Sequence, residues 1–438
     1  MSESAVYPVG RYNGWLPRSR AVHEAFFRDL AARAESPTRE GKPHTPAVEK
    51  FKKAIEADEI MVELWRQIFR QVSKDPKIPD PLKIHDFNSL LHHMDLIVVA
   101  PPKFTVTKEA SEPIGVPLYL LLDLLSNTSA AYDLFRYPRF NDAMKDLLDS
   151  WGQYLRSSDS NWTLTNEPDG WFSEASLEIL EKGRGPFNQT YITPDPTAIN
   201  RGYASWDKFF TRELQPGARP IYPAPPGSPT PIYNACESAY ERIQRNVQTH
   251  DKFWLKGMKY SLYDIFDHDE HHAKQFLGGT IYQAFLSPQD YHHWHSPVKG
   301  TVVDARLVPG TYYAVLPDDG EPLAEGSELQ QGDPHGAMIR SQPWLTVSAA
   351  RALIFIKADQ DEIGLVCVVA VGMVEVSTCE LSVRRDDRVE PGQQLGLFHF
   401  GGSSHAVIFG PQANITFTDE VKPGNHIQIN RIIAFVSK

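Results

Sequence analysis

Residues Pro216–Pro231 read PGARPIYPAPPGSPTP, seven prolines in sixteen positions. Proline fixes φ and removes a backbone donor, so this stretch can form neither a helix nor a central strand. It reads as an extended connector, and the texture of the sequence changes across it. The change predicts an α+β fold, a helical N-terminal region followed by a β-rich C-terminal half.

On the N-terminal side, apolar residues recur at intervals of three and four. Phe140, Met144, Leu147, Leu148, Trp151, Tyr154 and Leu155 fall on one face of a helix over Phe140–Arg156. Similar spacing in Val48–Val72 and Leu118–Leu134 predicts a bundle, with Pro101-Pro102 and Pro113–Pro117 as breaks. His85, His92 and His93 in this region read as surface or satisfied core residues. The expected layout is a tail over 1–46, a helical extension over 47–200 and a β-rich domain over 201–438.

On the C-terminal side, β-branched and aromatic residues predict strands over Thr280–Leu286, Gly300–Leu307, Thr311–Leu316, Ala352–Ile356, Gly364–Val376, Leu395–Phe400 and His426–Val436. Two stretches, Ser296–Gly310 and Val389–Phe398, each place a Pro-Gly turn between short strands. That quasi-repeat suggests a sandwiched-barrel-like core.

Composition narrows the function classes. The 438 residues allow two or three domains. The longest nearly unbroken apolar run, Ile363–Met373, is far short of the ~20 residues a membrane helix needs. A net charge of −11 argues against nucleic acid as a partner. The N-terminus lacks a signal-peptide core and the three cysteines, Cys236, Cys367 and Cys379, form no CxxC pair. A cytoplasmic protein without a membrane anchor is expected.

Three clusters bear chemistry. In Asp290-Tyr-His-His-Trp-His-Ser-Pro297, strand alternation would put His293 and His295 on one face and His292 on the other. Imidazoles there can act as general base or proton donor near neutral pH. Asp267-His-Asp-Glu-His-His272 has metal-ligand residue types but reads more simply as a solvated loop. In Phe400-Gly-Gly-Ser-Ser-His405, two glycines remove the Cβ atoms that would obstruct attack by a serine hydroxyl on the preceding carbonyl.

Taken in order, Phe209–Ile221, Leu255–Leu262, Ser287–Pro297, Val371–Met373 and Gly402-Ser403-Ser404 resemble the signature blocks of phosphatidylserine decarboxylases. The helical extension, Ala235–Ser238, Ser377–Glu380 and Phe398–Ser404 are similar to the soluble fungal branch that includes the L-tryptophan decarboxylase of psilocybin biosynthesis. The resemblance implies self-cleavage between Gly402 and Ser403, with Ser403 becoming a pyruvoyl group and no metal or diffusible cofactor. It further implies His295 as the base that activates Ser403 and Glu237 as the carboxylate that orients it. His292 would support decarboxylation, and Ser404 stands where the family has threonine. Glu237 departs from the family's Asp, and Ser238 from its Gly.

The cleaved precursor would yield a large and a small chain, and the pyruvoyl group would bind the substrate amine as a Schiff base. Absence of an anchor favours a free aromatic L-amino acid, tryptophan first, over phosphatidylserine. Trp294, Tyr312 and Tyr313 are candidates for an aromatic pocket. The acidic loop Pro317–Gly336 reads equally as a lid or an insertion. A non-catalytic barrel-sandwich binding module, with Lys299 as the lysine nearest a carrier position, is the remote alternative.

Overall fold

The computed structural model describes residues 17, 19–34, 36, 41–75, 84–108, 110–250, 260–316, 341–373, 378–400 and 403–438. The chain forms two compact units that interleave in sequence: residues 1–180, 193–209 and 311–342 make the first, and 181–192, 210–310 and 343–438 the second. The proline-rich connector lies wholly within the second unit.

The first unit is helical, with α1 (Arg20–Ala34), α2 (Pro46–Glu56), α3 (Glu59–Lys74), α4 (Phe87–Ile97), α5 (Pro117–Ser126), α6 (Ser129–Leu134) and α7 (Pro138–Arg156). The stretches Val48–Val72 and Leu118–Leu134 are each divided into two helices by a cap. Asp58 accepts from the amides of Ile60 and Met61 and starts α3, while Thr128 accepts from Ala131 and starts α6. Each such cap contributes about 1 kcal/mol. Every residue of α5 is buried, and α7 buries the stripe read from sequence except Tyr154. Phe51, Trp65, Phe135 and Phe140 pack as edge and stacked pairs at its centre. The Pro113–Pro117 break accommodates a short hairpin, β1 (Lys103–Val106) and β2 (Ser111–Ile114).

The second unit is built on antiparallel strands. In chain order they are β3 (Thr230–Tyr233), β4 (Ser238–Arg245), β5 (Thr280–Leu286), β6 (His293–His295), β7 (Gly300–Val308), β8 (Arg351–Ala358), β9 (Leu365–Gly372), β10 (Thr378–Leu381), β11 (Arg388–Val389), β12 (Gln394–His399), β13 (Ser403–Phe409), β14 (Asn414–Phe417), β15 (His426–Ile427) and β16 (Ile432–Ser437). Eight strands run in the order β11-β7-β8-β9-β13-β5-β4-β15, beside two three-stranded sheets, β10-β12-β6 and β14-β16-β3. No closed barrel forms among the described residues, because the large sheet ends on two short strands, β11 and β15. Pro231 is tolerated because β3 is an edge strand.

One face of the large sheet supplies Tyr282, Ala284, Leu286, Val368, Ala370, Val407 and Phe409 to a core that also holds Trp294, Leu395 and Phe398. Each fully buried Val, Leu or Phe contributes about 1.5–3 kcal/mol. This core fixes β13 at mid-sheet, hydrogen-bonded to β9 on one side and β5 on the other. Thr311–Leu316, predicted as a strand, is irregular and belongs to the helical unit. The loop Pro317–Gly336 lies outside the described residues.

Candidate active site

Ser403 is the first residue of β13, paired across to Leu286 and to Gly372, and has no exposed surface. Gly402, the other half of the expected cleavage site, lies outside the described residues. The Ser403 hydroxyl is 3.4 Å from Nδ1 of His292, a long hydrogen bond. Nε2 of His292 is 2.9 Å from the Ser287 carbonyl oxygen. A carbonyl only accepts, so Nε2 carries the proton and Nδ1 turns a lone pair toward Ser403. Burial, above all, pushes the His292 imidazole down to about 3, so it is neutral at neutral pH. Its ring stacks on Phe210, centroids 4.1 Å apart.

The turn carrying His292 is held by a buried charge network. Asp290 accepts from the Ser287 amide at 2.7 Å, from Arg184 Nε at 2.6 Å and from His426 Nε2 at 2.8 Å. Arg184 also donates to the Ser287 hydroxyl, and Arg212 donates to the carbonyls of Gln289 and Asp290. Burial works against the Asp290 charge, but Arg184 and His426 outweigh it and hold its carboxyl well below the usual range. An ionised Asp290 thereby fixes the Ser287 backbone, which fixes the His292 tautomer.

His295 stands elsewhere. Its Nδ1 donates to the Gly392 carbonyl at 2.6 Å, and Nε2 accepts from the Tyr291 hydroxyl at 3.2 Å. Burial pushes it down to about 4. Glu237, fully buried, is gripped by Arg219 through Nε and Nη2 at 2.6–3.2 Å. Among the described residues neither His295 nor Glu237 bonds to Ser403, and they do not bond to each other. Burial first, then the charge of Glu237, push the Tyr291 phenol up, and that phenol bonds His295. The Ser403 hydroxyl therefore meets His292 in this structure, while both nitrogens of His295 and the carboxylate of Glu237, the pair that the resemblance implies, are engaged with other partners.

The strand alternation read for the histidine motif holds. His293 stacks on Tyr291 at 4.5 Å and shares a face with His295, while Trp294 turns into the core against Phe398. The Ser404 hydroxyl accepts from Gln283, whose amide also reaches Thr346. Trp294 and Tyr313 are each spent in the core of their own unit, with the Tyr313 hydroxyl 2.5 Å from Ser126. Tyr312 lies in the helical unit, its amide donating to Asn141. Lys299 pairs with Glu390 at 2.7 Å. The Asp267–His272 run opens a helix over Glu270–Phe276, where Asp269 caps the His272 amide, rather than forming a solvated loop.

Sequence reasoning gave no role to Arg184, Arg212, Asp290, Gln283 or His405. Asp290 and Arg212 sat inside quoted blocks, whereas Arg184 and Gln283 carried no signal. His405 was legible: two residues after Ser403, it shares that strand face. It is fully buried, with neither ring nitrogen hydrogen-bonded among the described residues, and burial pushes it down to about 3.

Residues 45–180 and 206–434 match two families, both described as phosphatidylserine decarboxylase. A decarboxylase named iboD from Amanita muscaria is 54% identical over 352 residues, 79% of this chain and 99% of that protein. L-Tryptophan decarboxylase from Psilocybe cubensis is 32% identical over 97% of this chain and 94% of its own length. Phosphatidylserine decarboxylase proenzyme 3 from Schizosaccharomyces pombe is 33% identical over half of this chain and 20% of its own. These similarities make the chain a carboxy-lyase. It belongs to the phosphatidylserine decarboxylase family, which is pyruvoyl-dependent and whose proenzymes are cleaved into two chains. Among the described residues no helix is long and apolar enough to cross a membrane.

Proposed function

We propose that the chain is a self-processing decarboxylase of a free aromatic L-amino acid, tryptophan first, whose pyruvoyl group derives from Ser403. The observation that carries the self-processing half is the unprotonated Nδ1 of His292 facing the buried Ser403 hydroxyl. Similarity to L-tryptophan decarboxylase over nearly the full chain supports the substrate half. The name of the more similar Amanita protein states a decarboxylase and no substrate.

In the precursor, Ser403 Oγ attacks the Gly402 carbonyl while Nδ1 of His292 takes the hydroxyl proton and passes it to the Ser403 nitrogen as the Gly402–Ser403 C–N bond breaks, leaving an ester. Loss of the Ser403 α-proton then breaks the Cβ–Oγ bond, frees the Gly402 carboxylate and leaves an N-terminal dehydroalanine, which water converts to the pyruvoyl group with release of ammonia. An imidazole pushed down to about 3 is available at all times but weakly basic. That suits one slow maturation event better than repeated turnover. The resemblance gives the same proton to His295, and paired variants separate the two.

Position 403 fits a prosthetic group at a new chain start, because β13 pairs on both sides from this residue onward and would hold the terminus after cleavage. A pyruvoyl group supplies an electron sink for the pair left when CO2 departs. Phe210, stacked on the His292 ring, shields this side of the site from water, and His405 offers the substrate a polar partner on the same strand face. His295 and Tyr291 anchor β6, and Arg219 neutralises Glu237.

The substrate test supplies the mature protein with the amino acids one at a time and with dispersed phosphatidylserine, measuring amine and CO2. Release from tryptophan, tyrosine or phenylalanine is expected. Turnover of phosphatidylserine alone would overturn the amino-acid reading and leave lipid decarboxylation in its place.

A further inference from the structure

In the helical unit three side chains converge away from the groups considered so far. His44 precedes α2, while His92 and Asp95 stand three apart on α4 and so share one face of it. A ring nitrogen of each histidine and a carboxylate oxygen of Asp95 all lie within 4.8 Å of one another. Asp95 is 1% exposed. Its Oδ1 takes hydrogen bonds from the amide and hydroxyl of Thr45, at 2.8 and 2.9 Å. Its Oδ2 faces both imidazoles, 2.7 Å from His44 and 3.9 Å from His92.

The His44 contact by itself is an ordinary hydrogen bond leading into α2. A second imidazole nitrogen aimed at the same oxygen from 3.9 Å is too far for one. Zinc with bonds of about 2.0–2.1 Å holds adjacent tetrahedral ligands about 3.3 Å apart. The two separations to Oδ2 fall on either side of that value, and the two imidazoles, whose ligand atoms lie within 4.8 Å of each other, would also draw together around the ion. Two imidazoles with one carboxylate suit Zn²⁺ rather than Ca²⁺ or Mg²⁺, which prefer oxygen. Thr45 holds the carboxylate in the manner that orients metal ligands elsewhere.

We infer that His44, His92 and Asp95 form a structural zinc site that clips the segment before α2 to α4. Water completes the tetrahedron, entering past the partly exposed His92. Zn²⁺ displaces the proton shared by His44 and Asp95, which passes to solvent. No reaction step runs through this ion.

The test uses the full chain, stripped with a chelator and titrated with Zn²⁺, followed by equilibrium dialysis and thermal unfolding. Co²⁺ serves as the spectroscopic probe. One equivalent of Zn²⁺ per chain, a raised Tm and a tetrahedral Co²⁺ absorption band are expected. His92→Ala is the decisive variant because it keeps the His44–Asp95 hydrogen bond, and it should weaken binding about 100-fold or more and abolish the Tm shift. His85→Ala should change neither. Equal Zn²⁺ uptake by wild type and His92→Ala, or none by wild type, would overturn the site.

Discussion

The two ends of the motif from His292 to His295 lie three residues apart and are built differently. At the first, a ring nitrogen with an available lone pair faces the buried Ser403 hydroxyl at the start of β13. At the second, both ring nitrogens are committed, one to a carbonyl and one to a phenol, and the nearby carboxylate is locked to an arginine. One end is left chemically open and the other is closed by its own hydrogen bonds. Two histidines of similar burial in the same motif can therefore differ in what they are free to do, and the difference resides in second partners such as Ser287, Gly392, Tyr291 and Arg219.

The largest effect expected is at the nucleophile. Ser403→Ala should leave a single uncleaved chain with no decarboxylation, read by denaturing electrophoresis and an amine assay; cleavage in that variant would break the scheme. Next comes Glu237→Gln. If the closed end is structural, this change should lower Tm while the chain still cleaves, because losing the charge leaves Arg219 buried against a neutral amide. Removing one partner of a buried pair outright, as in Arg219→Ala, costs about 3–5 kcal/mol. Maturation slowed by orders of magnitude in Glu237→Gln without loss of stability would instead restore the carboxylate to the catalytic chain.

Asp290→Asn should have a smaller effect, slowing maturation about 10- to 100-fold by loosening the Ser287 backbone that sets the His292 tautomer. Time courses of cleavage would show it, and an unchanged rate would detach the charge network from the site. The smallest effect concerns pH. A histidine with its usual value near 6.5 loses about tenfold of its neutral form between pH 8 and 5.5. His292 at about 3 and His295 at about 4 stay neutral across that range. The maturation rate should change less than about threefold, and a tenfold decline toward pH 5.5 would contradict the burial argument.

Much of the architecture was legible because period and punctuation coincide with packing. The stripe in Phe140–Arg156 and the strand Thr280–Leu286 appear as read. Within Val48–Val72 one helix gives way to the next at Asp58, where a local cap interrupts the periodicity. The α+β division appears as read, while whether sheet edges meet depends on placement that register does not reveal, and no closed barrel forms among the described residues. Within the site, the resemblance named Ser403, His295, His292 and Glu237, with His295 as the base. The partners that separate His292 from His295 come from Gly392, Ser287 and Arg219, and those contacts depend on three-dimensional placement. Sequence shows which rings are present, and only placement shows which nitrogen is already occupied.

The most direct test is the intact mass, under denaturing conditions, of wild type, His292→Ala and His295→Ala expressed side by side. The account predicts that wild type and His295→Ala release the 36-residue fragment running from position 403 to Lys438. His292→Ala should remain a single 438-residue chain or mature at least 100-fold more slowly. Rapid cleavage of His292→Ala beside an uncleaved His295→Ala would contradict it.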